Sequence, residues 1–115
     1  MESEFKQAFI RNKASQNVRD VTGAYVLWSR HAIQELVADD LTRSQVEQAL
    51  QICEIIEDYP TLHRPLPDCL VLGRLPTGEP VHVVVAIDVQ QDRIFVVTVY
   101  RPDSREWKYD WRTRK

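Results

Sequence analysis

Two rhythms of apolar and polar positions divide the chain. In the first half apolar residues recur at helical spacing. Phe5, Ala8 and Phe9 predict a short amphipathic helix near residues 3–13, and the mostly polar residues 14–23 read as a linker. The run Tyr25-Val26-Leu27-Trp28 predicts a strand. Ser29 is a good N-cap for a helix over 30–38 that buries Ile33, Leu36 and Val37. Thr42 and Gln45 have capping-box spacing, and Val46, Ala49, Leu50 and Cys53 mark one face of the helix that follows.

In the second half the rhythm changes to alternation. Pro60, Pro65 and Pro67 impose an extended connection, and a strand follows over 69–73. Residues 76–80 carry turn chemistry, and the valine-rich stretches 81–88 and 94–100 predict a hairpin closed by Gln90, Gln91 and Asp92. Val81, Val83, Val85 and Ile87 form an apolar face for the helices, and His82, Val84, Ala86 and Asp88 take the opposite side. In the second hairpin strand, Ile94, Val96, Thr98 and Tyr100 are expected on one side. Helices first and a meander after predict an α+β fold, with two N-terminal helices on a curved, mainly antiparallel sheet of about four strands. Residues 1–23 form an arm, and 24–115 form the compact domain.

Composition adds that one ordinary core suffices: 115 residues, 43% hydrophobic, 28% charged, net charge −2. The charge is polarised. Residues 35–58 carry Glu35, Asp39, Asp40, Glu47, Glu54, Glu57 and Asp58 against Arg43 alone. The last stretch carries Arg101, Arg105, Lys108, Arg112, Arg114 and Lys115 against Asp103, Glu106 and Asp110. The two cysteines, Cys53 and Cys69, form no CxxC pair, and Met1-Glu2-Ser3-Glu4 lacks the plan of a secretory signal. A cytoplasmic protein with no membrane span is the expectation.

The histidines His31, His63 and His82 lack metal-ligand spacing, so neither metal nor cofactor is expected. Metal-free RNA cleavage asks less of a protein, because the 2′-hydroxyl is the nucleophile. A base, an acid and cations over the phosphate are enough. His31, His82, Tyr100 and Arg101 are the candidate catalytic groups. Arg74, Trp107, Lys108, Arg112 and Arg114 are the candidate RNA contacts, since aromatics among bases stack unpaired nucleotides. The structural reading of the same residues is a capping His31, a satisfied core His82 and tryptophans packed back on the domain.

Five segments carry a resemblance: Ser29-Arg30-His31-Ala32, Ile55-Ile56-Glu57-Asp58-Tyr59-Pro60, Cys69-Leu70-Val71-Leu72-Gly73, Pro80 to Ala86, and Thr98 to Asp103 with Trp107. Together they resemble a bacterial family of unknown function grouped with RelE/ParE-like toxins. The resemblance implies a RelE-like fold and an mRNA-cleaving toxin, possessing a cognate antitoxin and acting on mRNA or the ribosome, with a homodimer also compatible. It places His31, His82, Tyr100 and Arg101 at the family's recurrent polar positions. Where relatives often carry an arginine four residues after the first histidine, this chain has Glu35, which removes a phosphate contact. The alternative is a non-catalytic protein-binding domain on the toxin scaffold.

Overall fold

A computed structural model describes residues 1–59 and 65–115. The expected extended chain at Pro60, and His63, fall outside them. The elements are α1 (Ser3–Arg19), a 3-10 turn (Val21–Gly23), β1 (Val26–Trp28), α2 (Arg30–Ala38), α3 (Arg43–Leu50), β2 (Glu54–Asp58), β3 (Asp68–Arg74), β4 (Pro80–Asp88) and β5 (Arg93–Tyr100). The fold is α+β with one five-stranded sheet in the order β1-β5-β4-β3-β2. Among the described residues only the β1–β5 pair is parallel.

Local chemistry explains most boundaries. The Ser29 side chain accepts from the Ala32 N–H and starts α2. Thr42 and Gln45 close a full capping box on α3. The expected apolar face of β4 is real: Val81, Val83, Val85 and Ile87 are all buried, in one core with Ile10, Ala14, Leu36, Val46 and Leu50 from the helices. Gly73 permits close packing there, because a Cβ would stand 3.0 Å from that of Ala49.

Four expectations need correction. First, the N-terminal helix does not stop near residue 13. It runs to Arg19, and Ala14 and Asn17 within it are buried. Its contact face includes Lys6, Lys13 and Asn17, all nearly inaccessible, so hydrophobic periodicity could not reveal it. Second, the sheet has five strands among the described residues, because β2 forms a full strand beside β3. Third, Val37 is 80% exposed. Ala32 and Leu36 instead form the buried stripe of α2, and Val37 lies about 100° round from Leu36. Fourth, α3 ends at Leu50, so Cys53 is buried beyond the helix rather than on its face.

Two β-bulges decide which side chains share a face. In the β4–β5 ladder Val84 pairs with Thr98 and Val85 with Val96, leaving Val97 as the extra residue. The parity of β5 therefore reverses. Ile94 and Val96 enter the helix-side core with Val99, whereas Tyr100 pairs with His82 on the opposite face. The expectation that Tyr100 shares a side with Ile94 and Val96 fails for this reason. In β2, Ile55 pairs with Val71 and Glu57 with Leu70, leaving Ile56 extra. Glu54 and Glu57 thus face away from the helices, while Ile55 and Asp58 face towards them.

Candidate functional site

The face opposite the helices carries the chemistry. Leu70, Leu72 and His82 form its floor, and residues after Tyr100 fold back over it. Trp107, 1% exposed, seals the floor. Its ring meets that of His82 edge-on, with centroids 4.4 Å apart. The Arg114 guanidinium covers Trp107 at 4.6 Å from the ring centroid. The tail is a small hairpin: Lys108 N–H donates to Thr113 O at 2.8 Å, and Lys115 N–H to Glu106 O at 2.9 Å.

His82 is fully buried, and both ring nitrogens are engaged. Nε2 lies 2.7 Å from the Trp111 carbonyl, and Nδ1 lies 3.1 Å from the Tyr100 hydroxyl. A carbonyl only accepts, so Nε2 carries the hydrogen. In the neutral ring Nδ1 then accepts from the Tyr100 O–H. Burial lowers the His82 pKa below the ordinary histidine range, against the opposing pull of the Trp111 carbonyl. Burial raises the Tyr100 pKa, opposed by the charge of Arg114.

Two acids from β2 hold the tail. Arg114 donates to both Glu57 oxygens, at 2.6 and 3.0 Å, and Arg112 donates to both Glu54 oxygens. Those bonds hold both carboxyls below their usual range. Tyr59 also donates to Glu57, at 3.0 Å. Sequence reasoning missed Glu54 and Glu57, because residues three apart in a strand share a face only when a bulge intervenes.

The other predicted residues lie elsewhere. His31 is on the exposed side of α2, its Nε2 3.4 Å from Glu35 Oε1. The His31 side chain is 66% exposed, whereas His82 is buried on the face opposite the helices. Arg101 leaves the sheet beside α2 rather than beside Tyr100. Its Nε donates to Asp39 O at 3.0 Å and its Nη1 to Glu79 Oε2 at 2.9 Å. Arg74 sits at the β3–β4 turn, 3.5 Å from Gly78 O. Lys108 is exposed on the tail hairpin.

Glu35 has a structural task. β1 ends at Trp28, and beyond it α2 becomes the partner of the β5 edge. The Ser29 hydroxyl donates to Val97 O, Val99 N–H donates to Glu35 Oε1 at 3.0 Å, and Arg101 N–H donates to Asp39 Oδ2 at 2.8 Å. Four residues of helix rise about 6 Å. Two residues of strand advance about 6.7 Å. Acids at i and i+4, on α2 and at its C-cap, therefore match the alternate N–H groups of Val99 and Arg101 at the end of β5.

Among the described residues, no three His, Cys, Asp or Glu side chains gather as a metal set, and no helix is long and apolar enough to cross a membrane. Cys53 and Cys69 are free thiols, pushed up to about 12 by burial.

Residues 28–101 match a family described as a domain of unknown function, DUF4258. The chain belongs to that family. No curated protein and no solved structure gives a significant match. The DUF4258 span covers β1's last residue through Arg101, so α1 and the tail hairpin both lie outside it.

Proposed function

We propose that this DUF4258 protein is the toxin-like component of a bacterial type II toxin–antitoxin pair, a metal-independent endoribonuclease acting on mRNA. The resemblance to RelE/ParE-like toxins supports the scaffold, as does the succession of a strand, two helices and a meander whose last strand returns parallel to the first. The observation that carries the chemistry is the Tyr100 hydroxyl, half-buried on the sheet face and bonded to a neutral His82.

In this reading Tyr100, rather than a His31–His82 pair, handles the proton. The 2′-hydroxyl gives its proton to Tyr100 Oη as the phenolic proton passes to His82 Nδ1. The 2′-oxygen bonds to phosphorus, and the P–O bond to the 5′-oxygen breaks. Water protonates the leaving oxygen, and the imidazolium returns its proton through Tyr100 to solvent. Glu57, whose charge favours the protonated ring, offsets part of the cost of that buried imidazolium. Arg114 is the cation whose field reaches both Tyr100 and His82.

Induced expression with mapping of transcript ends tests the proposal. Wild type arrests growth and yields new ends, and co-expression of the neighbouring antitoxin relieves the arrest. Tyr100→Phe loses about a hundredfold or more in cleavage, the usual scale for a positioned proton-transfer group, while His31→Ala retains activity. Intact transcripts in wild type, or full activity in Tyr100→Phe, would overturn it.

One observation favours the second reading, a non-catalytic binding domain. His82 has no free nitrogen, and Arg101, Arg112 and Arg114 already sit on carboxylates. That reading expects a stable complex with a partner protein and no cleavage.

A further inference from the structure

The outer side of the tail hairpin carries a cleft of about 280 Å³ lined by Ser104, Trp107, Lys108, Tyr109, Trp111 and Lys115. Trp107 is the wall between this cleft and the His82–Tyr100 pair. Tyr109 is 93% exposed, so its ring is open to a ligand at the rim of the cleft.

The backbone beneath Trp111 is constrained in a telling way. Trp111 N–H donates to Lys108 O at 2.9 Å, closing a turn over residues 108–111. Trp111 itself has φ 61°, in the left-handed region. A turn followed by a left-handed residue is a common hairpin closure, and glycine is the residue it favours. A bulky aromatic there is a strained outlier, and such strain clusters at functional positions. The Trp111 carbonyl is pinned on His82 Nε2, so the strained backbone is held in place from below.

The charges around the cleft are asymmetric. Arg105, Arg112 and Arg114 are matched by Asp103, Glu54 and Glu57. The Asp110 carboxylate is turned inward to the Arg112 and Thr113 N–H groups and the Thr113 hydroxyl. Lys108 and Lys115 flank the aromatic rings, and Glu106 is the remaining acid nearby.

We infer that this cleft is a nucleotide subsite, in which an unpaired RNA base stacks on Trp111 and Tyr109 while Lys108 and Lys115 meet its flanking phosphates. Stacking uses the exposed Tyr109 ring and the half-buried Trp111 ring, and the two lysines supply charge complementary to phosphate. The inference rests on RNA as the substrate, but not on Tyr100 chemistry.

The test is binding of a fluorescein-labelled oligouridylate to the full chain, read by anisotropy and by quenching of tryptophan emission. Tyr109→Ala removes a ring too exposed to matter for folding, and Trp111→Gly suits the left-handed backbone; circular dichroism reports whether each stays folded. Each is expected to weaken binding about tenfold or more. Lys108→Ala with Lys115→Ala lowers the salt slope of log affinity by roughly 0.7 per lysine. Tyr100→Phe retains oligonucleotide binding and loses cleavage. If wild type binds through Tyr109 and Trp111 but cleaves nothing, the subsite stands and the nuclease reading falls. If wild type cleaves while Tyr109→Ala and folded Trp111→Gly bind like wild type, the subsite falls alone. Absent binding, or equal affinity for an oligoglutamate peptide, also overturns it.

Discussion

The helix α1 and the tail hairpin flank the DUF4258 span, and both grip the same strand from opposite faces. On the helix face, Lys6 pairs with Asp58, Gln7 accepts from Ile55 N–H at 2.9 Å, and Arg11 donates to Cys53 O at 2.7 Å. On the other face, Arg112 and Arg114 pair with Glu54 and Glu57. The difference lies in burial. The Lys6 side chain is 4% exposed, whereas those of Arg112 and Arg114 are 44% and 56% exposed. The tail compensates with one large buried ring, Trp107, on one buried polar partner, His82. One flank is held by partly buried polar contacts added to a shared core. The other depends on a single aromatic anchor, and its ion pairs sit in water.

The largest expected effect is Trp107→Ala, which costs about 3–5 kcal/mol in denaturant unfolding. Hydrogen exchange should show Lys108 and Lys115 amides losing protection while α1 keeps its own. Equal loosening of both flanks would break the comparison. Next comes Lys6→Ala, costing about 1–3 kcal/mol because the buried Asp68 carbonyl loses a donor along with Asp58. Its exchange signature should appear in α1 and not in the tail.

The pH response sharpens the contrast further. His82 has a lowered folded pKa, so the unfolded chain binds more protons as pH falls below about 6.5. Stability from the tail face is present above that pH and is lost as pH falls towards the folded value. The melting temperature should decline through this window in wild type, and His82→Gln should flatten the decline. Asp58, Glu54 and Glu57 also have lowered values, but their contributions are lost only below the ordinary carboxylate range, about 4.5. An unchanged slope in His82→Gln would remove histidine from the account. The smallest effects belong to Arg112→Ala and Arg114→Ala, each under about 1 kcal/mol. Both should vanish in high salt, whereas the Trp107→Ala effect should persist.

Much of the framework was legible along the chain. Ser29, Thr42 and Gln45 act within one helical turn, so their caps are local and readable. The apolar face of β4 follows from period-two alternation, which needs no knowledge of the partner. The candidate site was legible only in residue type. His82 and Tyr100 were both picked out, but their contact was not, because the Val97 bulge reverses the parity on which face assignment rests. The Trp107–His82 contact spans a reversal of the chain that no local pattern encodes.

The sequence by itself determined the α+β order, the helix starts and the greasy side of the central hairpin, because caps and periodicity are properties of neighbours along the chain. Tertiary structure alone decided the rest. It turned Lys6, Lys13 and Asn17 into a buried docking face for α1. It made Glu35 and Asp39 caps for the β5 edge, because helix rise and strand repeat nearly coincide across two elements. Through two single-residue bulges it gathered Glu54, Glu57, His82 and Tyr100 on one face. A bulge shifts every later side chain by one place, and what fixes its position is pairing with a distant strand.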